Sequence, residues 1–361
     1  MVKVLNISTF YAPVVDAITA ATHGLGYAET LARFEDALFG SDLLWSAALR
    51  RATGWEVVDV VANAPGLQRK WVEENCSRAE REQEDALWLQ IRRACPDAIV
   101  FQDLSVLPPQ RMDTLRSVGV LLVAQISCPM PRRDAVSRMD LAFTSFPHYV
   151  ARLRDMGVGR VESLPLAFEP RVIERIAGAG PLPERDIDVC FVGGVGRDSH
   201  WLSGTDALER AAADLGPGRL HWYGYGKGSL PPGSPLAACW RGEAWGREMY
   251  ALYLRSKIVL NRHGEVAKGS GNNLRQYEAT GCGACLLTDQ PGVFSAGFEC
   301  AVYGGPDEIG PAALDLLGEV GVMREIAAAG QRATLGRHAY SDRMGAVAVA
   351  VETEARRRRI A

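Results

Sequence analysis

SKIVLNRHGEVAKGSGNNLRQYEATGCGACLLTD, residues 256–289, decides the fold. The apolar run around Ile258–Leu260 is short and bounded by polar residues, which suits a buried strand. Lys268-Gly269-Ser270-Gly271-Asn272-Asn273 then places a cation, small residues and amides directly before a helical stretch. Such a loop brings free backbone N–H groups toward an anion, and a phosphate is the expected guest. The run near 284–288 returns to an apolar strand. Strand, crossover helix and strand make a βαβ unit, whose strands run parallel.

The same alternation continues in both directions. Upstream, apolar runs near 2–8, 55–62, 97–102, 119–126, 139–144 and 160–164 read as strands separated by helical stretches. The clearest helix spans Leu67 to Cys95, where Trp71, Ala79, Leu87, Leu89 and Ile91 sit among many charges, with room for one break. The Gly- and Pro-bearing stretch from Pro165 to Pro183 marks a boundary. Beyond it IDVCFV at 187–192 opens a second series, with strands near 220–223, 257–261, 284–288 and 300–303 and three helices from 306 to the end. The expected organisation is a Rossmann-like domain over 1–168, a linker over 169–185, a second Rossmann-like domain over 186–340 and a last helix over 341–361.

Composition narrows the function classes. A chain of 361 residues that is 47% hydrophobic can bury two cores. A net charge of −3 argues against a protein devoted to nucleic-acid backbones, whose binders normally carry a strongly basic footprint. No apolar run reaches the ~18 residues of a spanning helix, and MVKVLNISTF lacks the apolar core of a signal peptide. A cytoplasmic protein is expected. Arg356–Arg359 complements a helix C-terminus or touches an anionic membrane surface. The scattered cysteines suit buried reduced thiols, and Cys282 and Cys285 alternate into a core strand.

Open parallel sheets bind ligands beyond the carboxyl ends of their strands, so the informative loops follow the strands. Gly193-Gly194-Val195-Gly196-Arg197 closes one strand and suits a diphosphate. It is no dinucleotide fingerprint, because Ser199 stands where the third glycine belongs, and neither glycine cluster ends as a P-loop does. An oxidoreductase or epimerase reading is weakened accordingly. Asp186-Ile187-Asp188 has the look of a metal-diphosphate site but precedes its strand. Glu278 projects from a helix otherwise suited to packing; its carboxylate either accepts two hydrogen bonds from a vicinal diol or pairs with Arg275. His148 and His263 both lie on these rims, as core histidines or as functional ones.

LNRHGEVAKGSGNNLRQYEATGCGACLLTD resembles the C-terminal signature of the CgeB-like, spore-maturation-type glycosyltransferases, a branch of the two-lobed GT-B enzymes related to the retaining family-four group. GYAETLARFEDALFGSDLLWSAAL, PDAIVFQDLS, LLVAQISCPMP and LAFTSFPHYVARLRDMGV look like N-lobe segments of bacterial members, and DIDVCFVGGVGR like the opening of the donor lobe. The resemblance implies an α/β GT-B fold, two Rossmann-like lobes facing across a cleft, with the C-terminal helix packing back on the first. It also implies transfer from a nucleotide-sugar donor to a glycan, glycolipid or small-metabolite acceptor, with retention and without a metal or other cofactor.

By the same resemblance Glu278 falls where the family places a carboxylate on the nucleotide ribose, and Arg197 where a basic residue meets the diphosphate. Asn272, Asn273 and Arg275 fall in its Asn-rich helix start, beside the donor-loop glycines Gly194 and Gly196. Tyr27, Asp103, Ser127 and His148 are the acceptor-side candidates. Family-four enzymes carry a second glutamate where this chain has Ser270; its sugar contact passes to His263 or Glu265, or is lost in a non-catalytic nucleotide-sugar-binding protein. Breaking an anomeric bond releases a diphosphate, so fixed positive charge is the main catalytic requirement, met here by Arg197, Lys268 and a helix N-terminus.

Overall fold

The computed structural model describes residues 2–40, 42–127, 129–178, 180–196 and 202–360. The chain divides into two compact units, Met1–Pro165 with Tyr340–Ala361, and Leu166–Ala339. The first holds a six-stranded parallel sheet in the order β2-β1-β3-β4-β5-β6, formed by β1 Lys3–Ser8, β2 Glu56–Val61, β3 Ala98–Phe101, β4 Leu121–Gln125, β5 Leu141–Thr144 and β6 Arg160–Ser163. The second holds a five-stranded parallel sheet in the order β11-β10-β9-β7-β8, formed by β7 Ile187–Val192, β8 Leu220–Tyr223, β9 Ser256–Asn261, β10 Cys285–Thr288 and β11 Ala301–Val302. Both are doubly wound α/β sheets, as expected. In each the strand order reverses once beside the opening strand, between β1 and β3 and between β7 and β9. The crevice beyond the carboxyl ends at such a reversal is where this architecture binds ligands.

Buried apolar strands drive both units. Ile7, Ile99, Val123 and Leu141 are fully buried in the first, and Val189, Ile258 and Leu287 in the second, where Trp222, Leu208 and Ala211 pack against them. Each such side chain contributes about 1.5–3 kcal/mol on leaving water.

The 67–95 stretch is broken twice rather than once, into helices Pro65–Asn75, Arg78–Gln83 and Ala86–Ala94. Ser77 starts the second piece with a reciprocal cap to Glu80, and Asp85 starts the third by accepting from the Trp88 N–H. Two competing N-caps cut a helix that apolar spacing alone would have continued.

The 165–183 stretch is not a bare linker. Helix Arg171–Ala177 packs on helix Arg247–Arg255, and Phe168 bridges to Ala339, so the second unit begins at Leu166. The final helix Tyr340–Ile360 returns to the first unit, where it packs against helix Asp42–Thr53 with Met344 and Val347 fully buried. Within the arginine run, Arg358 turns inward to Asp140 at 2.8 Å and to the Val120 carbonyl at 2.7 Å, while Arg357 pairs with Glu354. Arg358 is therefore engaged by Asp140 and the Val120 carbonyl and does not face a membrane surface. No helix among the described residues is long and apolar enough to cross a membrane. Cys76, Cys190, Cys239, Cys282, Cys285 and Cys300 are buried free thiols; Cys95 departs from that pattern and is exposed at a left-handed helix end.

Candidate functional site

The rim at the β7/β9 reversal is held by one hydrogen-bonded network centred on Asn261, the last residue of β9. Its Nδ2 donates to Thr288 Oγ1 at the end of β10 (3.0 Å), and its Oδ1 accepts from Asn273 Nδ2 (2.8 Å) and Arg275 Nη1 (3.2 Å). Arg275 spans the reversal, because its Nη2 also donates to the Val192 carbonyl at the end of β7 (2.6 Å) and its guanidinium lies over the Phe191 ring. Asn273 caps helix Leu274–Gly281 by accepting from the Gln276 N–H, and Asn272 accepts from the Tyr277 hydroxyl at 3.0 Å. The Asn-rich helix start therefore does two local jobs at once: it begins the helix and ties it to the strand end.

Glu278 is buried on that helix and its Oε1 accepts from the Tyr250 hydroxyl at 3.2 Å. Among the described residues it makes no ion pair with Arg275, whose Nη groups reach the strand ends instead. Burial pushes the Glu278 carboxyl up to about 7, against the opposing pull of the Arg275 charge and the tyrosine hydrogen bond. His263 is buried too, and Asp289 accepts from its backbone N–H (3.1 Å) and lies 2.7 Å from its Nδ1. Arg262 packs so tightly on helix Leu202–Leu215 that a Cβ at Gly204 would lie 1.3 Å from its Nη1, and burial lowers its pKa from the usual arginine value.

Four buried polar atoms of this network have no hydrogen-bond partner among the described residues: His263 Nε2, Arg275 Nε, Gln276 Oε1 and Gln290 Oε1. Gln276 and Gln290 are joined, Nε2 donating to the Gln290 carbonyl at 2.7 Å. Buried polar groups are nearly always satisfied, so four unmet atoms gathered at one strand-end crevice make it the candidate binding site of the second unit.

The glycines shape this rim. Gly224 packs on Gly193 and Gly226 on Val195, with room for no side chain at either contact; Gly292, at φ +60°, packs on the Gly271 carbonyl in the same way. Gly194 lies beneath the Tyr225 ring, which stacks on Trp245. Gly196 is tied to helix Leu202–Leu215 through Thr205, which accepts from its N–H and donates to its carbonyl.

Other expected residues stand elsewhere. Arg197 lies outside the described residues. Lys268 is exposed in a left-handed turn, Glu265 is exposed, and Ser270 donates its N–H to the Ala267 carbonyl. Asp186 and Asp188 pair with Arg255 and Lys257 near the amino end of β7, which accounts for the Asp-x-Asp pattern without a ligand.

In the first unit, Asp103 follows β3 and accepts from Thr9 Oγ1 (3.0 Å) and from the Ser105 N–H and hydroxyl, starting a short 3-10 turn. Ser127 accepts from Ser145 Oγ at 3.2 Å, and the His148 ring packs between Phe146 and Tyr149. Tyr27 starts helix Tyr27–Asp36, its phenol pushed up to about 12 by burial and by Asp59, Glu74 and Glu35.

Sequence reasoning marked the loop Thr288–Gly292 after its strand but gave no role to Thr288, Asp289 or Gln290, and it missed Asn261 and Gln276, whose signal was position: one ends a strand and the other lies in the first turn of the helix that follows.

Residues 205–348 match the model of a family described as glycosyl transferase-like. No curated protein matches the sequence. Among solved structures, Anabaena Alr3699/HepE in complex with UDP-glucose is similar over 98% of this chain and 100% of that chain, with TM-score 0.62 and 10% identity. The glycosyltransferase from Rickettsia africae ESF-5 is similar over 98% of each chain, with TM-score 0.58 and 8% identity. Sucrose-phosphate synthase from Thermosynechococcus elongatus is similar over 98% of this chain and 99% of that chain, with TM-score 0.57 and 12% identity. At these identities the likeness is one of fold: this chain is built as the GT-B glycosyltransferases are, from two parallel-sheet Rossmann-like units, and it carries the glycosyl transferase-like pattern from residue 205 to residue 348.

Proposed function

We propose that the chain is a glycosyltransferase of the CgeB-like type, whose second unit binds a nucleotide sugar and passes its glycosyl group to a hydroxyl of a glycan, glycolipid or small metabolite. The observation that carries this reading is the β7/β9 rim, where buried Glu278 and half-buried Arg275 share a helix and four buried polar atoms, Arg275 Nε among them, have no partner among the described residues at the reversal of a doubly wound sheet. Support comes also from the glycosyl transferase-like match and from the UDP-glucose complex of a structural neighbour.

The chemistry follows from the residues present. A carboxylate such as Glu278 accepts both hydroxyls of a ribose, and its burial makes those bonds strong. Departure of a nucleoside diphosphate builds negative charge at the bridging oxygen, which Arg275 and Arg262 oppose as fixed cations that need no reorganisation. Gly193, Gly194 and Gly196 are packed against Gly224, Tyr225 and Thr205, so in this reading the charge for the diphosphate on this side comes from Arg197, which follows them in the chain. Lys268 contributes its charge from the surface. In a front-face reaction with retention, the leaving phosphate oxygen takes the acceptor's proton, so no separate base is required. Turnover is expected to survive EDTA, because arginines supply the charge that a metal otherwise would.

A thermal-shift screen against UDP-, GDP-, ADP- and TDP-sugars tests the reading. One class raises the melting temperature in a concentration-dependent way, because a ligand bound only by the folded state stabilises it. No shift with any of them at millimolar concentration contradicts it.

A further inference from the structure

The amino end of the second sheet, opposite the β7/β9 rim, holds a cavity of about 880 Å³. That volume lies within the roughly 300–1,000 Å³ of small-molecule sites. Its walls are chemically unlike. One comes from helices Ile309–Gly318 and Val320–Arg337, where Leu314, Leu317, Val320, Met323 and Ala327 present aliphatic surface. Val320, Met323 and Ala327 recur at helical spacing and so share one face. Leu314, Leu317 and Ala327 pack on the core with part of each side chain left open, and Val320 is 44% exposed.

The other wall is set where the strands begin, by Asp188 on β7, Lys257 on β9 and Arg219 directly before β8. Lys257 spends its charge on Asp188 at 2.6 Å, and Arg185 spends its own on the carbonyls of Tyr253, Ser256 and Cys282. Arg219 and Arg324 are different: among the described residues neither guanidinium makes an ion pair or a hydrogen bond. Glu184 also lines the cavity, but it is exposed, where water screens its charge.

The two walls together select a guest. Aliphatic surface gains by being covered with an apolar body. An unpaired guanidinium gains by meeting a carboxylate or phosphate, whose oxygens match its fork of donors. A neutral oil would leave the arginines unmet, and a small inorganic anion would leave the aliphatic wall wet. The aliphatic surface lines a cavity instead of protruding, which suits one enclosed molecule and not a bilayer.

We infer that this cavity binds a free amphipathic anion, an apolar body bearing one carboxylate or phosphate head, with Arg219 and Arg324 receiving the head and the aliphatic wall covering the body. The inference uses no residue of the β7/β9 rim and stands apart from the nucleotide-sugar reading.

The test is calorimetric titration of the full chain with decanoate below its micelle concentration, beside decanol and decylammonium. Decanoate is expected to bind one to one, about fivefold or more tighter than either control. Arg219→Gln and Arg324→Gln are each expected to weaken decanoate about fivefold, the order of one partly exposed charge pair, and to leave decanol unchanged. Ala328→Trp sets a ring in the cavity from an exposed helix position and is expected to abolish binding of both, with melting curves to show that each variant folds. Absence of saturable decanoate binding, equal affinity for the controls, or binding undisturbed by Ala328→Trp overturns the inference. Sedimentation with phosphatidylglycerol vesicles that is lost in the arginine variants, without uptake of decanoate, assigns the arginines to a membrane surface and overturns it as well. Failure of the chain to bind any nucleotide bears on the glycosyltransferase reading and leaves this result as it stands.

Discussion

Glu278 carries an unusual electrostatic load for a residue on a packing helix. Its carboxyl titrates near 7 when folded because it is buried, against about 4.5 when unfolded. The folded state therefore binds more protons between those values, so the contribution of this group to stability is full below the unfolded pKa and is lost as pH rises through the folded one. At pH 8, Glu278→Gln is expected to raise stability by about 1–3 kcal/mol, measured by denaturant titration. An ion pair would give the opposite sign. The same titration governs binding: if the carboxylate form grips the ribose, donor affinity falls as pH drops from 8 to 6, which calorimetry at the two pH values reads directly. Asp103 has a different character. Its oxygens are spent on Thr9 and Ser105, so Asp103→Ala is expected to cost about 0.5–2 kcal/mol of stability, as loss of a capping carboxylate does. Unchanged melting would show that this carboxylate is free for an acceptor.

At the scale of elements, the strands were legible in the sequence, because short apolar runs bounded by Gly, Pro and polar residues admit few other readings. Among the described residues all eleven strands lie where those runs lie, while the 67–95 helix divides at caps that apolar periodicity does not register. The site was legible only as segments. The glycine loops and the Asn-rich helix start could be read, but side-chain direction could not. Arg275 reaches a carbonyl 83 positions away in the chain and His263 finds Asp289 26 positions away, and neither pairing has a local signature. Lys268 illustrates the converse, a cation in the right loop that points to solvent. The loop contacts themselves are testable. A Cβ on Gly292 would lie 1.8 Å from the Gly271 carbonyl oxygen at a positive φ, so Gly292→Ala is expected to cost about 2 kcal/mol or more and to weaken donor binding with it. Wild-type stability and affinity would mean that this contact does not shape the rim.

Across the whole molecule, the chain builds the same sheet topology twice and then returns to its first unit. Buried polar atoms with no hydrogen-bond partner among the described residues stand at both rims, Ser8 Oγ and Gln125 Oε1 at strand ends of the first and four atoms around Arg275 and His263 in the second; in the second, Arg275 and Gln276 stand on the helix that carries Glu278. The returning helix is part of the first unit's core, so Met344→Ala, which removes a fully buried side chain, is expected to destabilise that unit by about 2–5 kcal/mol without changing nucleotide affinity. Hydrogen exchange resolved by peptide, together with calorimetry, checks both parts. The central claim is that the second unit grips a nucleotide sugar through Glu278. Calorimetric titration of the preferred sugar nucleotide into wild type and Glu278→Gln, at pH 8 with melting curves alongside, tests it most directly. The substitution keeps the shape and removes the charge from two hydrogen bonds worth about 1.5–3 kcal/mol each, so the dissociation constant should rise by about one to three orders of magnitude while the melting temperature does not fall. An unchanged dissociation constant would contradict the account.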